Sequence, residues 1–77
     1  MFFFFFFWDF PNIISERLTY AMERMNMDVN TLALLADVSP TTVQRWLNGE
    51  YEPRNKNLRE IAHVLNTSSS YLNGEVD

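Results

Sequence analysis

The chain has 77 residues, enough for one small domain whose core is only marginally sufficient. It has no cysteine and one histidine, His63, so disulfides and thiolate or multi-histidine metal sites are excluded and stability must come from packing. A net charge of −4 and a pI near 4.7 have the wrong sign for a strong, indiscriminate nucleic-acid binder.

The chain begins MFFFFFFWDF, with seven consecutive aromatics from Phe2 to Trp8. The run is far shorter than the roughly 20 apolar residues that span a bilayer. It also makes a poor signal peptide, because no positive residue precedes it and Asp9 and Pro11 follow it. Three readings fit it: an extra core segment or dimer strand, a start-site artefact, or an interfacial anchor for a membrane or partner. Left exposed, such a run is an aggregation hazard.

Asn12 or Ser15 can cap a first helix over about 13–25, with Glu16 in its first turn. Ile14, Leu18, Ala21, Met22 and Met25 form its apolar stripe. Asp28 can cap a second helix, 29–36, on which Leu32, Leu35 and Ala36 share a face. Asp37 falls where the backbone should turn left-handed, a conformation Gly adopts more easily. Val38 is expected to be buried as the plug of the turn. Ser39 then caps a third helix with Pro40 at its first position, a favoured place for proline. That helix runs to Asn48, buries Val43, Trp46 and Leu47, and ends at Gly49.

Residues 50–55, EYEPRN, read as a loop. Asn57 is a candidate cap for a fourth helix carrying Leu58, Ile61, Ala62 and Leu65 on one face. A break at 66–69 leads into a last short helix, SSYL, terminated by Asn73-Gly74. The sum is an all-α, compact five-helix domain over 11–77, with 1–10 as an extra aromatic N-terminal segment. A short helix, a tight turn and a second short helix over 28–49 form a helix-turn-helix pattern, which suggests DNA binding. Charge is consistent with this locally. Between Ser39 and Arg59, four basic residues (Arg45, Arg54, Lys56, Arg59) outnumber Glu50 and Glu52, while the rest of the chain sets Arg17 and Arg24 against eight acids.

The pieces SERL, LALLADVSPTTVQRWLNG, EP and NLREIAHVLNTSSSYLNGE stand in a continuous order. Over about 60 residues, Ile14 to Glu75, they resemble the DNA-binding domains of lambdoid phage repressors and Cro proteins, the wider XRE-type regulators. The resemblance implies a cytoplasmic bacterial transcriptional regulator that binds a double-stranded operator as a homodimer, with helix 3 in the major groove. It also implies base-facing roles for Pro40, Thr41, Gln44 and Arg45, a phosphate contact from Asn48, and Arg54 near the backbone or minor groove. By their chemistry, Gln44 can pair with adenine and Arg45 with guanine, and Ser39, Thr42 and the amides that open helix 3 can hold a phosphate. The resemblance further implies dimerisation around helix 5, at Tyr71, Leu72 and Val76, with the aromatic segment as a second candidate. It fits a Cro-like single-domain regulator and a part of a longer repressor equally.

The chain departs from that family pattern in four places. Val29 stands where a glutamine commonly contacts phosphate, Asp37 replaces the turn glycine, Pro40 removes a polar side chain from a reading position, and Met22 replaces a common basic residue. Fewer phosphate contacts predict weaker binding.

No catalytic residue, cofactor or metal is expected. His63 has no evident nucleophile partner, Glu50 and Glu52 read as solvated charges in an open loop, and two glycines cannot make a phosphate-cradling loop. The rival to a DNA-binding regulator is a protein-interaction module on the same scaffold, such as an antirepressor or antitoxin. The acidic balance and the apolar N-terminus favour that rival.

Overall fold

The computed structural model describes residues 12–77. The aromatic segment and its three readings lie outside the described residues. Five helices follow in order: α1 (Ile13–Arg24), α2 (Val29–Ala36), α3 (Pro40–Asn48), α4 (Asn55–Val64) and α5 (Ser69–Leu72). Among the described residues no helix is long and apolar enough to cross a membrane.

Side-chain caps set four of the five helix starts. The side chains of Asn12, Asp28, Ser39 and Ser68 accept from the amides of Ser15, Thr31, Thr42 and Tyr71, each three residues on. A capped amide is one fewer unsatisfied donor at a helix start. Asn12, not Ser15, is therefore the cap of α1. Ser15 instead turns inward and is fully buried, its hydroxyl donating to the Asn12 carbonyl at 2.9 Å.

All five helices end the same way. A residue with positive φ (Asn26, Asp37, Gly49, Asn66 or Gly74) reverses the chain. The amide after it then donates back across the last turn: Met27 to Met22, Val38 to Ala33, Glu50 to Arg45, Thr67 to Ala62 and Glu75 to Ser70, at 2.9–3.0 Å. This closure satisfies carbonyls that the helix itself leaves open. Asp37 adopts the left-handed conformation expected of it, φ 60° and ψ 45°.

The helices enclose one apolar core centred on Leu18, Leu32, Val43, Trp46, Ile61, Leu65 and Leu72. α3 packs on α1 and α2, α4 packs on α2, and α5 closes the gap between α1 and α4. The two ends of the described chain meet there. Arg17 on α1 donates to the carbonyls of Tyr71 and Val76, and Gly74 sits so close to Ile13 that an added Cβ would come within 3.1 Å of it.

Several expectations need correction. Leu35 does not share the buried face of α2: it is 56% exposed, and Ala33 is buried beside Leu32 and Ala36 instead. The stretch LALLA is apolar all round, so periodicity alone does not choose the inward face; contact with α3 and α4 does. Met25 leaves the α1 stripe and is largely exposed, because the chain is already turning at the C-cap. Val38 is half-buried against the core rather than enclosed. α4 begins two residues before the proposed Asn57 cap. Arg54 holds the N-cap position without a side-chain cap bond, and Leu58 donates its amide to the Arg54 carbonyl at 2.8 Å. Burying Pro53 and Leu58 together sets this earlier start. Leu72 is wholly inside the core, which removes it from any surface that a second copy could touch; Tyr71 and Val76 stay at or near the surface.

Candidate nucleic-acid interface

α3 divides cleanly by face. Val43 and Trp46 are buried and Leu47 is half-buried, anchoring the helix on α1 and α2. Thr41, Gln44, Arg45 and Asn48 are exposed. Their spacing of three, four and seven places them in one stripe along the outer side. Pro40 is exposed at the start of that stripe, and Ser39 stands just before it.

The helix start has less anion-binding capacity than the residue types promise. Pro40 has no amide hydrogen, and the Thr42 amide is taken by Ser39 Oγ at 3.1 Å. The Thr42 hydroxyl is also paired with Ser39, at 2.9 Å, and Thr42 is half-buried. Of the first three helical amides, only that of Thr41 is left for a phosphate. Thr41 can offer its methyl to thymine as well.

A short polar chain runs across the remaining residues. Gln44 Nε2 donates to Asn48 Oδ1 at 3.3 Å, and Asn48 Nδ2 donates to Glu50 Oε2 at 3.4 Å. Glu50 Oε1 lies 3.8 Å from Arg45 Nε, with both side chains about half exposed. Glu50 is still hydrated, but it belongs to this face and not to a detached loop. The signal was in the sequence: Gly49 as a left-handed cap brings the next residue back over the last turn of its helix.

Arg54 is exposed at the start of α4, with Lys56 and Arg59 exposed farther along that helix. Among the described residues none of these three has an ion-pair partner, so their charges are available to an external anion. Val29, at the start of α2, is half-buried against the core and lines a groove with Met22, Met27 and Leu47. Its side chain serves packing rather than polar contact. His63 is exposed on α4, and no cluster of metal-ligating side chains occurs among the described residues.

Two helices joined by a left-handed turn, the second anchored by one face and bare on the other, define a helix-turn-helix protein. Residues 18–72 match the family model described as "Helix-turn-helix", and the chain belongs to that family. It is 33% identical over 67 residues to the 26 kDa repressor protein of Escherichia phage HK022, covering 82% of this chain and 28% of that protein. It is 30% identical over 59 residues to the HTH-type transcriptional regulator DicA of Escherichia coli (strain K12), covering 77% of this chain and 44% of that one. The chain thus spans less than half the length of either relative.

Among solved structures, a transcriptional regulator from Listeria innocua aligns with a TM-score of 0.74 at 25% identity, over 83% of this chain and 60% of that one. Hydroxypropylphosphonic acid epoxidase from S. wedmorenis aligns with a TM-score of 0.72 at 41% identity, over 78% of this chain and 32% of that one. The second likeness is confined to about a third of the epoxidase, so it concerns the helical fold and not the activity of the whole enzyme.

Proposed function

We propose that this protein is a sequence-specific, double-stranded-DNA-binding transcriptional regulator of the phage repressor type. Residues 11–77 form its DNA-binding domain, and α3 reads the major groove. The observation that carries the reading is the exposed stripe Thr41, Gln44, Arg45 and Asn48 on a helix held rigidly from behind by Val43 and Trp46. Gln44 pairs with adenine, Arg45 with guanine, and Thr41 meets a thymine methyl or a phosphate. Pro40 lies against the groove without a polar contact. Ser39 caps the helix, Thr42 braces that cap, and Asn48 and Arg54 contact phosphate. A single small domain buries too little surface for useful specificity, so the protein binds a two-fold operator as a homodimer. Relatives named as a repressor and as transcriptional regulators support the reading.

Selection of bound sequences from random duplex at low salt tests it. A palindromic consensus is the expected result. The double variant Gln44→Ala, Arg45→Ala should then lose affinity for that consensus while keeping its helical circular dichroism. Equal binding by the double variant would remove α3 as the reader.

A second reading, a protein-interaction module on this scaffold, is favoured by Leu34 and Leu35, adjacent on α2 and 79% and 56% exposed. Under that reading no duplex is enriched, and polar substitution of the two leucines abolishes capture of a protein partner.

A further inference from the structure

We propose that Glu50 is a discrimination residue, one that competes with DNA for Arg45 and Asn48 and so suppresses binding to non-cognate sequence. The inference rests on the DNA-binding reading above and names a side chain that opposes binding on the same face.

The geometry gives Glu50 this position by backbone as well as side chain. Gly49, at φ 76°, turns the chain back, and the Glu50 amide donates to the Arg45 carbonyl at 3.0 Å. Glu50 cannot leave the end of α3 without opening that closure. From there its carboxylate reaches both flanking polar groups, Arg45 Nε at 3.8 Å and Asn48 Nδ2 at 3.4 Å. The ion pair is half-exposed and loosely spaced, so it is weak in water and a better partner can displace it.

DNA offers two kinds of replacement. At random sequence Arg45 finds only phosphates, whose attraction is the sequence-independent part of binding. Taking Arg45 and Asn48 to phosphate leaves the Glu50 carboxylate unpartnered in the negative field of the phosphates. At a cognate site Arg45 instead meets the two acceptors of a guanine edge, a bidentate contact that offsets the loss of Glu50. A carboxylate here therefore costs non-cognate binding more than cognate binding. Its effect is large for one residue, because the segment from Ser39 to Arg59 has a surplus of only two positive charges.

The test uses the full chain, the duplex recovered by selection, and a scrambled duplex of equal length, with dissociation constants measured over a series of salt concentrations. Glu50→Gln keeps the size and the contact to Asn48 but removes the charge. Glu52→Gln removes the same charge from a residue that is exposed and makes no ion pair or hydrogen bond among the described residues. The expected result for Glu50→Gln is at least about fivefold tighter binding to the scrambled duplex, a salt slope steeper by about one, and a smaller gain on the selected duplex. Glu52→Gln should change both duplexes less and equally. Equal effects of the two variants would overturn the proposal, because net charge alone would explain them. Weaker binding of Glu50→Gln to the selected duplex would also overturn it, by making Glu50 a base contact. A folded wild-type chain that binds neither duplex at low salt refutes the DNA-binding reading itself, and this inference with it.

Discussion

The guanidinium of Arg17 lies over the ring of Tyr71, 4.6 Å from its centroid, and donates to the Tyr71 carbonyl at 2.8 Å. The two residues are 54 apart in the chain, on α1 and α5. A second donation, to the Val76 carbonyl, ties down the residues after α5. One planar cation thus joins the first helix to the last through a stacked contact and two charged hydrogen bonds.

Removing that cation should loosen the end of the domain. Arg17→Ala is expected to cost about 1–3 kcal/mol, from charge-assisted hydrogen bonds and a cation–π contact. Arg17→Lys should recover only part of this, since an ammonium lacks the planar fork that serves stacking and two carbonyls at once. Urea midpoints of the three proteins measure the difference. The Asp77 ion pair is fully exposed on its acidic side and should add nothing detectable.

Leu32 and Leu35 separate the buried from the exposed side of α2. Leu32→Ala is expected to cost about 2–5 kcal/mol, a large share of what so small a domain has. Leu35→Ala should stay within about 0.5 kcal/mol of wild type. Comparable losses for the two in thermal or urea unfolding would mean that α2 is rotated from the position described.

Asp37 pays twice for its place: a left-handed backbone and a negative charge at the C-terminal end of α2. Asp37→Gly removes both and should stabilise the protein by about 0.5–1 kcal/mol, even after the added freedom of glycine in the unfolded chain. A lower melting temperature in this variant would show that the carboxylate has an unrecognised partner.

The carboxyl of Asp28 is held below its ordinary value of 3.8, first by the Thr31 amide, which donates to it at 2.8 Å, and then by the Thr31 hydroxyl. A carboxyl with a depressed folded pKa stabilises above its unfolded pKa. That contribution fades as pH falls through the folded value. Asp28→Asn, which can still cap, should therefore lower the urea midpoint at neutral pH and converge on wild type at acid pH, once the pH lies below the folded value. A gap that is the same at both pH values would assign the effect to shape rather than charge.

Arg54, exposed at the N-cap of α4 and free of ion pairs among the described residues, is the test of phosphate contact. Arg54→Ala should weaken binding to cognate and scrambled duplex alike and reduce the salt slope by about one. A loss confined to the cognate duplex would make Arg54 a base or minor-groove reader.

Much of this protein was legible before folding, and for one reason: its punctuation is local. A cap joins residues three apart, so Asp28 and Ser39 mark where helices start whatever lies across the core. Asp37 and Gly49 mark ends in the same way, through backbone conformation. The bare stripe on α3 followed too, because Val43, Trp46 and Leu47 are the large apolar residues of that helix and share one face at spacings of three and four. What depended on distant partners was not legible. Five apolar side chains in LALLA offer more than one inward face, and packing against α3 and α4 selected Leu32 with Ala33 and Ala36 over Leu35. The start of α4 moved to Asn55 because core burial, not a capping side chain, sets its phase. The clasp of Arg17 on Tyr71 spans almost the whole domain, and only the docking of α5 between α1 and α4 brings the two together. Local hydrogen bonds are written in neighbouring residues; the choice of which surface to bury belongs to the assembled core.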